Sequence, residues 1–230
     1  MDAIKNAKTW SIFNAVLDKS SPLPSFSLLY MKLHGATIME EIAAIKTYAK
    51  KNSIPIMRDG GIDFICQYIK DHNIKRILEI GTAIGFSASE FAKVSPDVTV
   101  TTIELDIDRH ITAKQNFVDQ GLDNRITAIL GDAAQVEIDG EFDLIFIDGP
   151  KAQYQKHFEK FTANLAPGGV VISDNLSFHG MVEDLSLTHN YSTIKLVKKI
   201  RKYIAFLKAN ENFETTFYEV GDGISVTKRK

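Results

Sequence analysis

Arg76-Ile-Leu-Glu-Ile-Gly-Thr-Ala-Ile-Gly-Phe-Ser87 runs from a strand-forming segment through a glycine-bracketed turn into a helix start. A short, nearly continuous apolar run is what a strand buried on both faces requires. Four more runs follow at similar spacing: Val98 to Ile103, Ile126 to Leu130, Leu144 to Ile147 and Gly169 to Ser173. Helical patterns separate most of them, over Ser87 to Val94, Arg109 to Gln120 and Tyr154 to Leu165. Alternating strands and helices call for a parallel sheet covered on both faces. After a last helix, Ser192 to Ala209, two strand-like runs flank Gly221-Asp222-Gly223, a hairpin-type connection. The expected fold is α/β and Rossmann-like, a mostly parallel seven-stranded sheet that ends in an antiparallel hairpin.

Before this block the chain reads as helical, over Ala3 to Leu17, Ser25 to Leu33, Thr37 to Asn52 and Ile62 to His72. Two units are expected: an accessory N-terminal helical segment, 1–53, and the α/β domain, 54–230. With 230 residues the chain can bury a full core. One cysteine, Cys66, excludes an internal disulfide and a cysteine-based zinc site. No apolar run approaches a membrane span, and the start lacks a signal-peptide pattern. A cytoplasmic setting with no membrane partner is expected.

The turn Gly81-Thr82-Ala83-Ile84-Gly85 has Gly-x-x-x-Gly spacing. Ala83 stands where a dinucleotide fingerprint needs its second glycine, so a cofactor without phosphates fits better than NAD. Glu104 ends the second run, placed to meet ribose hydroxyls, and Asp132 follows the third, placed to accept from an adenine amino group. Asp148 ends the fourth run, and Asp174-Asn175 end the fifth. Two carboxylates and an amide oxygen on neighbouring strand ends form an oxygen set suited to Mg²⁺ or Mn²⁺. Asp148 also has a purely structural reading, as cap of the next helix with Pro150 at its opening position. Lys151 follows closely; positive charge beside it would favour its proton-accepting form.

These motifs, with Ile77 to Ala88, Phe146 to Lys151, Ser173-Asp-Asn175 and Val220-Gly-Asp-Gly223, resemble the cation-dependent O-methyltransferases of the catechol and caffeoyl-CoA type. The resemblance covers roughly Ile54 onward and implies the class I methyltransferase fold with S-adenosylmethionine as cofactor. It assigns the metal to Asp148, Asp174 and Asn175, and base or orienting work to Lys151. The cofactor is expected against Glu79, Gly81, Ser87, Glu104, Asp132 and Ala133, with Met57, Thr82, Gly85 and Asp148 completing its surroundings. A cation that binds two adjacent substrate oxygens activates one and aligns it, so the acceptor is expected to carry vicinal oxygens.

Within the family, Gln153-Tyr154-Gln155 and the segment from Gly221 to Lys230 look like the bacterial tRNA 5-hydroxyuridine methyltransferases. That likeness implies methylation of the 5-hydroxyl of wobble 5-hydroxyuridine to 5-methoxyuridine, with the tRNA anticodon region as partner. The alternative is a small catechol-like or hydroxycinnamoyl acceptor. Lys195, Lys198, Lys199, Arg201, Lys202 and Lys208 form a basic run without an acid, suited to phosphates or simply a solvated helix face. Gly149-Pro150 departs from the small residues expected there. The resemblance further implies a homodimer, with the N-terminal helices as its interface.

Overall fold

The computed structural model describes residues 38–52, 54 and 56–230. The two helices expected within 3–33 lie outside the described residues. Six α-helices are seen among the described residues: α1 (Ile38–Lys51), α2 (Asp59–Asp71), α3 (Phe86–Lys93), α4 (Ile107–Asp119), α5 (Tyr154–Phe161) and α6 (Tyr191–Ala209). The strands are β1 (Arg76–Ile80), β2 (Thr99–Glu104), β3 (Ile126–Leu130), β4 (Phe142–Ile147), β5 (Leu165–Ser173), β6 (Phe213–Tyr218) and β7 (Ile224–Arg229). They form one seven-stranded sheet in the order β3-β2-β1-β4-β5-β7-β6. The first five are parallel; β7 runs antiparallel to β5 and to β6. The expected Rossmann-like class I sheet with its closing hairpin is the observed one.

Strand alternation divides the interior into two cores, because successive side chains point to opposite faces. Ile77, Leu144, Phe146, Val170 and Ile172 face one core, which α1 to α4 cover through residues such as Ile45, Ile65, Phe91 and Phe117. Leu78, Ile80, Ile145, Ile147 and Val171 face the other, covered by Tyr154, Phe158 and Phe161 of α5 and by Ile200, Tyr203 and Leu207 of α6. Ile45 and Ala49 of α1 are buried in the first core, so this helix packs on the sheet with the helices of the α/β unit.

Several element boundaries differ from the sequence expectation, and those of α4, α5 and β5 have a clear local reason. α4 starts at Ile107 rather than Arg109, since Asp106 caps it by accepting from the Asp108 and Arg109 amides, both at 3.0 Å. The expected helix from Tyr154 to Leu165 ends at Phe161, and β5 begins at Leu165. Phe142 pairs with Leu165, but Leu144 pairs with Val170, so Ala166 to Gly169 form a bulge that interrupts the periodic pattern.

Candidate functional site

The carboxyl ends of β1 to β5 open on one cleft of about 940 Å³. Clefts at this edge follow from the reversal of strand order between β1 and β4, which sends neighbouring loops apart. Gly81, Glu104, Asp132, Ala133, Asp148, Lys151 and Asn175 all lie on its wall, and so does Met57 from the segment before α2.

On the β1–β3 side, the turn is held by carboxylates beneath and beside it. Glu104 accepts from the Ala83 amide at 2.8 Å and the Asp106 amide at 2.9 Å, fixing its carboxylate at the cleft edge. Glu79 is completely buried and accepts from Ser87 Oγ and Thr102 Oγ1, both at 2.5 Å. Burial pushes its carboxyl up to about 7, against the lowering effect of those two hydroxyls. Thr82 Oγ1 lies 2.6 Å from Thr102 Oγ1, also buried. Glu79, Thr82 and Ser87 therefore brace the turn from behind rather than face the cleft. Gly85 is likewise a packing position: a Cβ there would lie 2.5 Å from Phe117 Cε1, at a φ of +81°. Gly81 packs backbone to backbone on the β4 end, where a Cβ would lie 2.7 Å from the Asp148 carbonyl oxygen.

The β4–β5 side gathers the acids. Ile147 pairs with Ser173, so Asp148 and Asp174 leave neighbouring strands in register. Lys151 Nζ donates to Asp148 Oδ1 at 3.0 Å and to Tyr154 Oη at 2.7 Å, and Tyr154 Oη donates to the Asp174 carbonyl at 3.1 Å. Pro150 leads into a short 3₁₀ turn, Lys151–Gln153, and α5 begins only at Tyr154; neither start has a side-chain cap. The capping role open to Asp148 in the sequence is thus not the one it performs.

Asp174 is 1% exposed, and its Oδ1 has no hydrogen-bond partner. Its Oδ2 accepts from Asn175 Nδ2 at 3.0 Å, which leaves the Asn175 amide oxygen free. Burial and then the neighbouring Asp148 push the Asp174 carboxyl up to about 7. A buried, unpartnered carboxylate oxygen beside a second carboxylate is a costly arrangement that a bound cation relieves. Among the described residues no group of three His, Cys, Asp or Glu converges as a metal site, so any cation here would rest on two acids and an amide. These donors suit a hard divalent ion.

Three further cleft residues escaped the sequence reading. Asp222, buried in the hairpin turn, accepts from the His179 amide at 2.7 Å and lies 3.8 Å from the Arg58 guanidinium. Arg58 also contacts His179 Nδ1. Asn175, Phe178 and His179 have φ of 59°, 47° and 60°, a left-handed loop that the β7 turn holds through Asp222 and Gly223. Arg58 carried no local signal, and Asp222 read as an ordinary turn residue. His157 of α5, buried on the cleft wall, lay inside a helical stretch and drew no reading of its own.

A sequence model of the O-methyltransferase family matches residues 31–230. A catechol O-methyltransferase from Niastella koreensis is 30% identical over 153 residues, covering 64% of this chain and 67% of the relative. A Staphylococcus aureus structure provisionally described as a caffeoyl-CoA O-methyltransferase is 35% identical with a TM-score of 0.79, covering 89% of this chain and 98% of that one. A Podospora anserina methyltransferase bound to S-adenosylhomocysteine shares the fold, with a TM-score of 0.75 at 23% identity, covering 98% of this chain and 97% of that one.

Proposed function

This chain belongs to the O-methyltransferase family, and we propose that it moves the methyl group of S-adenosylmethionine onto a hydroxyl flanked by a second oxygen, on a small catechol-like or hydroxycinnamoyl acceptor. The observation that carries this reading is the unpartnered Oδ1 of buried Asp174, next to Asp148 and Asn175, which line the cleft wall. The names of the Niastella and Staphylococcus relatives, catechol and caffeoyl-CoA O-methyltransferase, support the acceptor class. The Podospora neighbour's ligand is the demethylated form of the proposed cofactor.

In this reading Glu104 and Asp132 bind the adenosine part, on a turn braced by Glu79, Ser87 and Thr102. Asp148, Asp174 and Asn175 would hold a divalent cation, Mg²⁺ or Mn²⁺, which supplies Lewis acidity and fixes two adjacent acceptor oxygens. Lys151 takes the hydroxyl proton, its Nζ kept at the cleft wall by Asp148 and Tyr154. The left-handed loop at Phe178 and His179, with Arg58, lines the acceptor side of the cleft.

Methyl transfer to catechol is expected to stop with a chelator and to return with Mg²⁺, while a phenol with one hydroxyl is not methylated. Equal turnover of the monophenol, or indifference to chelation, would sink the vicinal-oxygen reading. A second reading keeps this chemistry but takes 5-hydroxyuridine at the tRNA wobble position, whose 5-hydroxyl adjoins the 4-carbonyl. It is favoured by one feature: Lys195, Lys198, Lys199, Lys202 and Lys208 are exposed along α6, the helix whose Leu196 reaches the cleft wall. Competition of 5-hydroxyuridine tRNA against catechol in one assay separates the two.

A further inference from the structure

Arg58 precedes α2, and its backbone carbonyl accepts from the Gly61 and Ile62 amides, each at 3.0 Å. Its side chain does not cap that helix. It turns instead to the loop after β5, where it contacts His179 Nδ1. Among the described residues one acid comes within ion-pair range of it, Asp222 at 3.8 Å, and the Oδ1 of that acid already accepts from the His179 amide at 2.7 Å. A guanidinium carries five N–H donors in a planar fork. Most of those of Arg58 therefore meet no acceptor among the described residues, and its side chain is 52% exposed. A cation left this open on a cleft wall is placed to receive an anion from outside the chain.

The neighbours of Arg58 narrow which anion fits. Ile56 and Met57 lead into Arg58, Phe178 leads into His179, and all of them line the cleft. The Phe178 and His179 rings have their centroids 5.4 Å apart. An aromatic acceptor finds apolar side chains for its ring here, with a cation at their border. The acids of this side are otherwise engaged or enclosed: Asp148 accepts from Lys151 Nζ at 3.0 Å, and Asp174 and Asp222 are buried. His179 stands four residues beyond Asn175, so their Cα atoms are at most about 14 Å apart. Left-handed φ at Asn175, Phe178 and His179 coils that path shorter still.

We propose that Arg58 is a specificity-determining residue whose guanidinium binds a carboxylate on the acceptor, remote from the paired oxygens. The preferred substrates are then dihydroxy-aromatic acids rather than neutral catechols. This rests on the vicinal-oxygen acceptor proposed above. A planar fork of N–H donors matches a carboxylate with two parallel hydrogen bonds, a geometry that lysine does not reproduce. The apolar flanks take the ring while the fork takes its charged substituent.

The test is steady-state methylation of protocatechuate and of caffeate, each against its own neutral amide, by the full chain, Arg58→Gln and Arg58→Lys. The two acids place the carboxylate at two distances from the hydroxyls. In the unaltered protein the KM of at least one acid is expected about tenfold below that of its amide, with similar kcat, the size of one charge-assisted contact at a half-exposed site. Added salt should shrink that ratio. Arg58→Gln should bring the ratio close to one, and Arg58→Lys should keep part of it. A merely structural Arg58 would move acid and amide together. No preference for either acid, or a preference that a folded Arg58→Gln retains, overturns the proposal. Should Arg58→Gln not fold, Arg58→Lys decides, since a ratio unchanged in it excludes recognition by the fork. Comparison of 5-hydroxyuridine with its 5′-monophosphate tests the other anion: a preference confined to the phosphate overturns the carboxylate assignment. Methylation of none of these compounds by protein that binds S-adenosylhomocysteine overturns instead the acceptor reading beneath it.

Discussion

At the scale of single residues, the site is built from acids held in positions they would not choose in water. Glu79 is the simplest to test, because it is fully buried and lies behind the cleft wall. Its carboxyl stands at about 7 when folded against an ordinary 4.5. A raised carboxyl pKa means that the folded state holds the proton more tightly than the unfolded chain. Stability is therefore full below about pH 4.5 and declines as pH rises toward 7. Glu79→Gln is expected to remove that decline, worth at most about 3 kcal/mol. Denaturant midpoints at pH 5 and pH 7.5, compared between the two proteins, check it. Lys151 is the proton acceptor in the proposed chemistry. Lys151→Met should lower kcat by about 100-fold or more while leaving S-adenosylhomocysteine affinity within a factor of two or three. Equal losses in both would make Lys151 a packing residue. The acids at strand ends were legible in the sequence because each follows its own apolar run. The pairing of Arg58 with His179 was not, since they meet across 121 residues and nothing local to either predicts the other.

At the scale of elements, strands β1 and β4 are interlocked by their turns. The Gly81 backbone lies so close to Asp148 and Gly149 that no side chain fits between them. Gly81→Ala should cost about 2–3 kcal/mol, from the strained φ of +104° and from the displaced β4 end. The displacement should also raise the Kd of cofactor and cation together, which separate titrations would show. A loss of stability with both affinities intact would mean that the turn and the acids move independently. The sequence carried most of the elements, because buried parallel strands write themselves as apolar runs. It carried the start of β5 poorly: Ala166-Pro167-Gly168-Gly169 bulges out of the sheet, so Leu165 is separated from the run that identified the strand. The α4 start was misplaced by two residues for a different reason, since Asp106, the cap, follows two residues after Glu104 and did not stand out beside that acid.

For the whole molecule, two surfaces are without a partner among the described residues. Ile107, Ile111 and Val118 form an exposed stripe along α4, with Leu105 and Leu130 beside it. The basic face of α6 lies over the other core. If RNA is the acceptor, changing Lys198, Lys199 and Lys202 to alanine should weaken tRNA binding at least tenfold, flatten its salt dependence, and leave catechol methylation unchanged. Arg201 is better spared, because it donates to the Val182 carbonyl at 2.8 Å and holds the loop after β5. No helix among the described residues is long and apolar enough to cross a membrane. Charge clustering was visible in the sequence, yet its meaning was not, because a solvated helix face and a phosphate-binding face have the same composition.

The position of β7 has a consequence for synthesis. Residues 224–229 sit between β5 and β6 and carry the turn whose Asp222 and Gly223 hold the loop beside Asn175. A nascent chain on the ribosome can assemble β1 to β5 and still lack the strand that seals β5. Until that strand leaves the exit tunnel, the edge of β5 stays open to neighbouring chains. Truncation before Ile224 should give a soluble-expression defect out of proportion to the few residues removed, and a coexpressed chaperone should recover little of it. The same geometry advises placing purification tags at the amino end.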